Sequence, residues 1–253
     1  MFSLSYRDDP GLAFLKFCAH DDLRTLADIL TTKQGSKRRT AQLLGTPEFL
    51  ASRDDLTKVW HVIAAELQRF GADGVVSFFR RGKGVLYREI LTDVCKRLKI
   101  KIYDGEEFSE IEGRVLLKVL ENSLEKMTEE DRASFVKDAA EGFKNGPFNP
   151  IAAAPAAILA ALQAAFAMGG FAAYQVAAIA ANAVSRFILG RGLAFAANIG
   201  LMRALGLVAG PIGWVISGIL SVPMITGPAY SVTIPAVIYV AYLRQKYIIR
   251  DLL

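Results

Sequence analysis

The chain has 253 residues, 53% of them apolar, and a formal net charge of +5. That composition excludes an intrinsically disordered chain and allows a large buried core in one domain or two. Residues 1–144 hold 24 basic and 24 acidic side chains, so the whole excess lies in 145–253. There Arg186, Arg191, Arg203, Arg244, Lys246 and Arg250 face a single acid, Asp251. Few cations separated by apolar blocks suit an anionic membrane surface and exclude a nucleic-acid stripe.

Cys18 and Cys95 sit inside apolar helical patterns and read as buried thiols in a reducing compartment. Residues 1–9 carry Arg7, Asp8 and Asp9 and no apolar segment, which is not a secretory signal, so a cytoplasmic start is expected.

In chain order, Asp9-Pro10 predicts a helix start, with Asp as N-cap and Pro in the first turn. Asp21 or Asp22 opens a second helix through Leu23, Leu26, Ala27 and Leu30. Lys33, Lys37, Arg38 and Arg39 form a basic loop, and Thr46-Pro47-Glu48 reads as another capped start. Asp54 or Asp55 caps the strongest amphipathic run: Leu56, Val59, Trp60, Ile63, Leu67 and Phe70, ending at Gly71. Short helices are expected after Asp73 and over 85–98, and longer ones over 107–127 and 129–143. No stretch alternates as a sheet would, so the predicted fold is an all-α multi-helix bundle with an Ala/Gly-rich hydrophobic C-terminal half.

Asn145-Gly146-Pro147 with Asn149-Pro150 marks the clearest boundary. It divides a helical bundle over 1–144, comprising a short module (1–35) and a helical domain (36–144), from a hydrophobic hairpin domain over 145–253. No charge occurs in 145–185 or in 204–243, and 17 of the 35 residues in 151–185 are alanine. Ile158, Leu162 and Phe166 fall four apart on the first alanine-rich helix, and Gly169-Gly170 turns the chain into a second one. Trp214, Ile216 and Ile219 belong to a richer apolar stretch. Four segments are candidate membrane hairpins: 151–168, 171–185, 204–222 and 233–243. The two of 15 and 11 residues are shorter than the roughly 17 a normal span needs. On this reading Ile158, Leu162, Phe166, Trp214, Ile216 and Ile219 contact the membrane. Arg186, Arg191, Arg203, Arg244 and Lys246 meet its anionic surface, all on one side.

The residues Glu66-Leu67-Gln68-Arg69-Phe70-Gly71, Leu86-Tyr87-Arg88, Ile90-Leu91, Asp93-Val94 and Lys96-Arg97-Leu98-Lys99 resemble the central block of the YaaW-like bacterial proteins. Ala229-Tyr230 with Val232-Thr233-Ile234-Pro235-Ala236-Val237 resembles that family's C-terminal signature, and 9–31 its N-terminal module. The resemblance groups the central domain with the ubiquinol–cytochrome c chaperone domain, a helical module that helps a membrane complex assemble. It implies a binding protein near membranes and brings no catalytic residue.

The chain has no Walker-type loop, Rossmann fingerprint or Gly-x-Ser-x-Gly elbow. Cys18 and His20 lack a second ligand pair, so no metal or cofactor is expected. His61 follows Trp60 on an amphipathic helix and reads as a packing histidine. Glu106, Glu107, Glu110 and Glu112 fit a helix start's dipole and solvation. Arg80, Arg81 and Lys83 could hold phosphate at a helix start, but read first as a solvated loop, as does the 33–39 cluster. Neither cluster has interleaved aromatics, against single-stranded nucleic acid.

The expected protein is therefore non-enzymatic and amphitropic. It associates with or inserts into the inner membrane from the cytoplasm, as a pore-forming or membrane-disrupting effector in the sharper form, similar to colicin-type domains that release a buried hairpin. Its partner is anionic lipid or a membrane protein, with self-association accompanying insertion. The alternative is a soluble chaperone or assembly factor that binds a subunit of a membrane complex.

Overall fold

The structure, a computed structural model, describes residues 4–33, 36–38, 41–72, 84–125, 127–130, 132–133, 136, 154–189 and 230–250. Eight α-helices carry the fold described here: α1 His20–Thr31, α2 Pro47–Ala51, α3 Trp60–Gly71, α4 Tyr87–Leu98, α5 Phe108–Leu124, α6 Pro155–Ala167, α7 Gly170–Leu189 and α8 Tyr230–Arg250. The fold is all-α, as composition and periodicity predict. Among the described residues the strands are two residues each, β1 Thr32–Lys33 and β2 Ser36–Lys37, paired antiparallel. This tight ladder stands where the sequence predicted a plain basic loop. The helix expected after Asp73 lies outside the described residues, as does most of the one expected over 129–143.

Helix α8 is the centre of the molecule. From Val232 to Leu243 every side chain is buried, on all faces of the helix. A helix apolar all round must be surrounded. Here α7 covers one side, and α1, α3, α4 and α5 cover the others. The segment 233–243, expected as a candidate membrane hairpin arm, lies in the core of the bundle. One hydrophobic core runs through both halves of the chain. The junction near 145 therefore separates no cores among the described residues.

Alanine explains how α7 fits. Ala173, Ala177, Ala178, Ala180 and Ala181 are buried with Val176 and Ile179. Small side chains let two backbones approach closely, so packing, not large-residue burial, holds α7 to α8. Pro235 sits inside α8 and lacks the N–H that would serve the carbonyl of Ser231 one turn earlier. Arg38 supplies the missing donor: its Nη2 reaches Ser231 O at 3.5 Å, and also donates to Thr32 O at 3.1 Å. Burial pulls the pKa of this guanidinium down, and its plane lies 5.9 Å from the Phe70 ring. Arg38 is thus a structural donor and not part of a solvated basic patch.

The N-terminal start differs from its prediction. Asp9 and Pro10 open a turn that leads into a short 3-10 helix, Ala13–Phe17, not an α-helix. Asp55 does act as a cap, accepting the N–H of Thr57 at 3.2 Å ahead of α3. Cys18 and Cys95 are free and buried, as expected.

Burial pushes the Cys95 thiol up to about 11, and burial with the nearby Asp22 carboxylate raises Cys18 further. Both therefore stay protonated at neutral pH, and protonated thiols are poor nucleophiles. Ellman's reagent should find no reactive thiol in the native protein at pH 7.5 and both thiols once the chain is unfolded in guanidinium.

Candidate functional site

Two features of this bundle stand apart from ordinary packing. One is a buried polar cluster that ties α8 to the start of the chain. The other is the outward face of α6.

The cluster forms where the N-terminal turn, α3, α4, α5 and α8 meet. Glu112 occupies the inward register of α5 with Leu116 and Val119, and its side chain is 1% exposed. Arg244 reaches it from α8: Nε donates to Oε2 at 2.7 Å and Nη2 to Oε1 at 3.1 Å. The same Nη2 donates to the carbonyl of Gly11 at 2.6 Å. Tyr87 Oη donates to Glu112 Oε1 at 2.8 Å. The guanidinium stacks on Phe14 at 4.4 Å and on Phe108 at 5.5 Å. Burial works to lower the Arg244 pKa, but the Glu112 carboxylate outweighs it, so the net shift is upward and the guanidinium stays charged. Burial, then the charge of Glu112, raises Tyr87 and keeps its hydroxyl protonated.

Asp9 completes the cluster. Its Oδ1 accepts the N–H of Gly11 at 2.9 Å, capping its own turn. Its Oδ2 accepts the N–H of Tyr87 at 2.6 Å, capping α4 from 78 residues away, and the amide of Gln68 at 3.1 Å. Gln68 also exchanges two bonds with the backbone of Arg7, at 2.9 and 2.8 Å. A Cβ on Gly11 would lie 2.8 Å from the Tyr87 ring, so only glycine admits the ring here. The acceptors of Glu112 and Asp9 are all turned on protein donors. The cluster is built to hold segments together.

A second ion pair, half-buried on its lysine side, lies further along α8. Lys246 Nζ donates to both oxygens of Asp22, at 2.7 and 2.9 Å, and Tyr247 Oη donates to Oδ2 at 2.9 Å. The N–H of Ala19 in turn donates to Tyr247 Oη at 2.5 Å.

On α6, Ile158, Leu162 and Ala165 are buried, and Phe166 is partly buried against Gly113 of α5. Ala156, Ala157, Ala160, Gln163, Ala164, Ala167 and Met168 face outward. Past the turn, Phe171 is 48% exposed and Met168 66%. The exposed face thus carries one polar side chain, Gln163, and no charge.

The sequence-predicted sites are distributed as follows. Ile158, Leu162 and Phe166 do form one row, but the row faces α5, and the alanines beside it face out. Arg244 and Lys246, expected on an anionic surface, point from the central helix toward the buried carboxylates of Glu112 and Asp22; Arg244 is largely buried and Lys246 stays 38% exposed on its side chain. Arg186 lies in the last part of α7. Arg191, Arg203, Trp214, Ile216 and Ile219 lie outside the described residues. The acidic group separates: Glu106 pairs with Arg114 at 2.5 Å, Glu110 accepts the N–H of Glu107 at 3.1 Å, and Glu112 goes inward. Neither His20 nor Cys18 joins a metal-ligating group among the described residues. Sequence reasoning missed Glu112 as the partner of Arg244, and Asp9, Gln68 and Tyr87 as members of the same cluster. The available signal was register: Glu112, Asp22 and Arg244 each fall on an apolar helix face.

Removing one partner of a buried ion pair strands the other, at a cost of about 3–5 kcal/mol. Arg244→Met should therefore destabilise strongly in urea unfolding. Arg244→Met combined with Glu112→Leu should be more stable than Arg244→Met alone, since no carboxylate is then left unpaired.

Comparison with known proteins places the chain. Residues 6–39 match a domain of unknown function, DUF3944, the segment that supplies Arg7, Asp9, Gly11, Asp22 and Arg38 to the contacts above. A UPF0174 protein of Helicobacter pylori strain J99 is 43% identical over 246 residues, 96% of this chain and 94% of that protein. A second UPF0174 protein of the same strain is 37% identical over 207 residues, 81% of this chain and 97% of its own length. The UPF0174 protein YaaW of Escherichia coli K12 is 31% identical over 247 residues, 96% of this chain and 97% of that protein. No solved structure matches. With likeness running over nearly the whole length, the chain belongs to the UPF0174 family that includes YaaW.

Proposed function

We propose that this is a non-enzymatic, amphitropic helical protein that associates with a membrane through the uncharged face of α6 and its turn into α7. The observation that carries the reading is that face: a solvent-turned helix with alanines, one glutamine and no charge, ended by Met168 and Phe171. Outward helix faces normally carry charges, and an uncharged one fits an apolar partner.

Magnitudes favour association over insertion. Burying a Met or Phe side chain yields about 1.5–3 kcal/mol, and alanines add little. Two such anchors support a reversible, peripheral contact. Among the described residues no helix is long and apolar enough to cross a membrane. The apolar stretch 204–222 and the cations Arg186, Arg191 and Arg203 flank this contact in sequence. They suit anionic headgroups and a position on the cytoplasmic side of the inner membrane.

The test is flotation with phosphatidylethanolamine–phosphatidylglycerol vesicles. The protein should float, and Met168→Asp with Phe171→Asp should reduce partitioning about a hundredfold, the equivalent of losing ~3 kcal/mol. Its melting temperature should hold, since both side chains are exposed. A protein that stays at the bottom of the gradient would overturn the reading and move the conclusion to the assembly-factor alternative.

A further inference from the structure

We infer that α6 is an arm that opens by itself, swinging about Gly169–Gly170 while α7 stays fixed in the bundle. Its use at a membrane rests on the reading above; the opening does not.

Three observations combine. The first is unequal attachment within one hairpin. Helix α7 buries Ala173 and every residue from Gln175 to Ala181 against α8 and its neighbours. Helix α6 buries three side chains fully, and its main neighbours are α5 and α7. Among the described residues, no side-chain hydrogen bond or ion pair ties α6 to another element, whereas α8 is held by two ion pairs on buried carboxylates.

The second is the joint. Gly169 and Gly170 both take left-handed backbone, at φ +68° and +52°, and a Cβ on either would meet open space. Consecutive glycines cross between backbone basins without the Cβ penalty of other residues. A rotation here leaves α7 in place.

The third is a single latch. A Cβ on Gly113 would lie 2.3 Å from Cε1 of Phe166 and 2.6 Å from Cζ. Gly113 is therefore a notch in α5, and Phe166 is the knob that fills it. With the arm open, the row Ile158, Leu162 and Phe166 joins the alanine face, and α6 is uncharged and, but for Gln163, apolar all round. At 13 residues it is about 20 Å long, too short to cross a hydrocarbon core of about 30 Å. The open arm is thus suited to lie in the interface plane.

The experiment is native-state hydrogen exchange on the full chain without lipid. Amides of 155–167 should exchange at least about tenfold faster than those of 173–181 and 232–247, through an opening that leaves the latter protected. Gly113→Ala should raise exchange across 155–167 about tenfold more by crowding the knob. It replaces a helix-interior glycine with alanine, so a weakened α5 cannot account for the rise. Adding Phe166→Leu should reverse most of it. Exchange of 155–167 in step with 173–181 overturns the inference. If Gly113→Ala does not fold, the wild-type comparison of the two segments decides alone.

A second arm of the test separates the opening from the membrane reading. Spin labels on Asp104→Cys and Ala160→Cys, both exposed, report the distance between the α5 end of the bundle and α6. The distance should lengthen on phosphatidylglycerol vesicles. Flotation without lengthening overturns the arm's part in binding and keeps the membrane reading. Independent exchange of 155–167 without flotation supports the arm and overturns the membrane reading.

Discussion

The bidentate contact between Arg244 and Glu112 organises the rest of the molecule. It joins the central helix to α5 and, through the Gly11 carbonyl, to the N-terminal turn. The same turn also meets α4, which Asp9 caps, and α3, whose Gln68 grips the backbone of Arg7. Apolar burial alone would leave α8 free to slide or rotate, since it is hydrophobic on all faces. Charged groups at fixed depth remove that freedom. An ion pair of this kind is weak evidence of stability, because desolvation offsets its attraction. Its value here is register: one depth and one rotation of α8 satisfy Glu112, Asp22 and the Ser231 carbonyl together.

The same constraint explains how the apolar half can be read in two ways. A chain with two long uncharged stretches looks like membrane protein by composition. Yet much of that apolar surface, in α7 and α8, is used to build an interior. Among the described residues, what remains outward is narrow, the α6 face and its turn.

Much of the helical framework was legible from residue patterns. The apolar spacing in α1, α3, α4 and α5 places those helices within a few residues of their observed bounds, and Gly169-Gly170 marks the hairpin turn. Long-range pairing was not legible. Arg244 and Glu112 are 132 positions apart, and local rules assign each to the nearest plausible role: a cation to the end of its helix, a carboxylate to a helix start. Asp9 shows the limit clearly. Its capping chemistry was recognisable, but one of its two oxygens serves a helix that begins at Tyr87. Similarly, the row Ile158, Leu162 and Phe166 was visible as a row. Its direction depended on the notch at Gly113, which spacing alone does not reveal.

Placing the core helix after the helices that surround it has a consequence for biosynthesis. Domains emerge from the ribosome N-terminal end first. Helices α1, α3, α4 and α5 leave it before α8 exists, and each then exposes the face that α8 will cover. The alanine-rich hairpin follows, equally without its partner. The nascent chain therefore passes through a stage with an unfilled centre and no means of closing it, during which general chaperones or a nearby bilayer compete for the same apolar surfaces. Only the synthesis of residues 230–250 ends that competition.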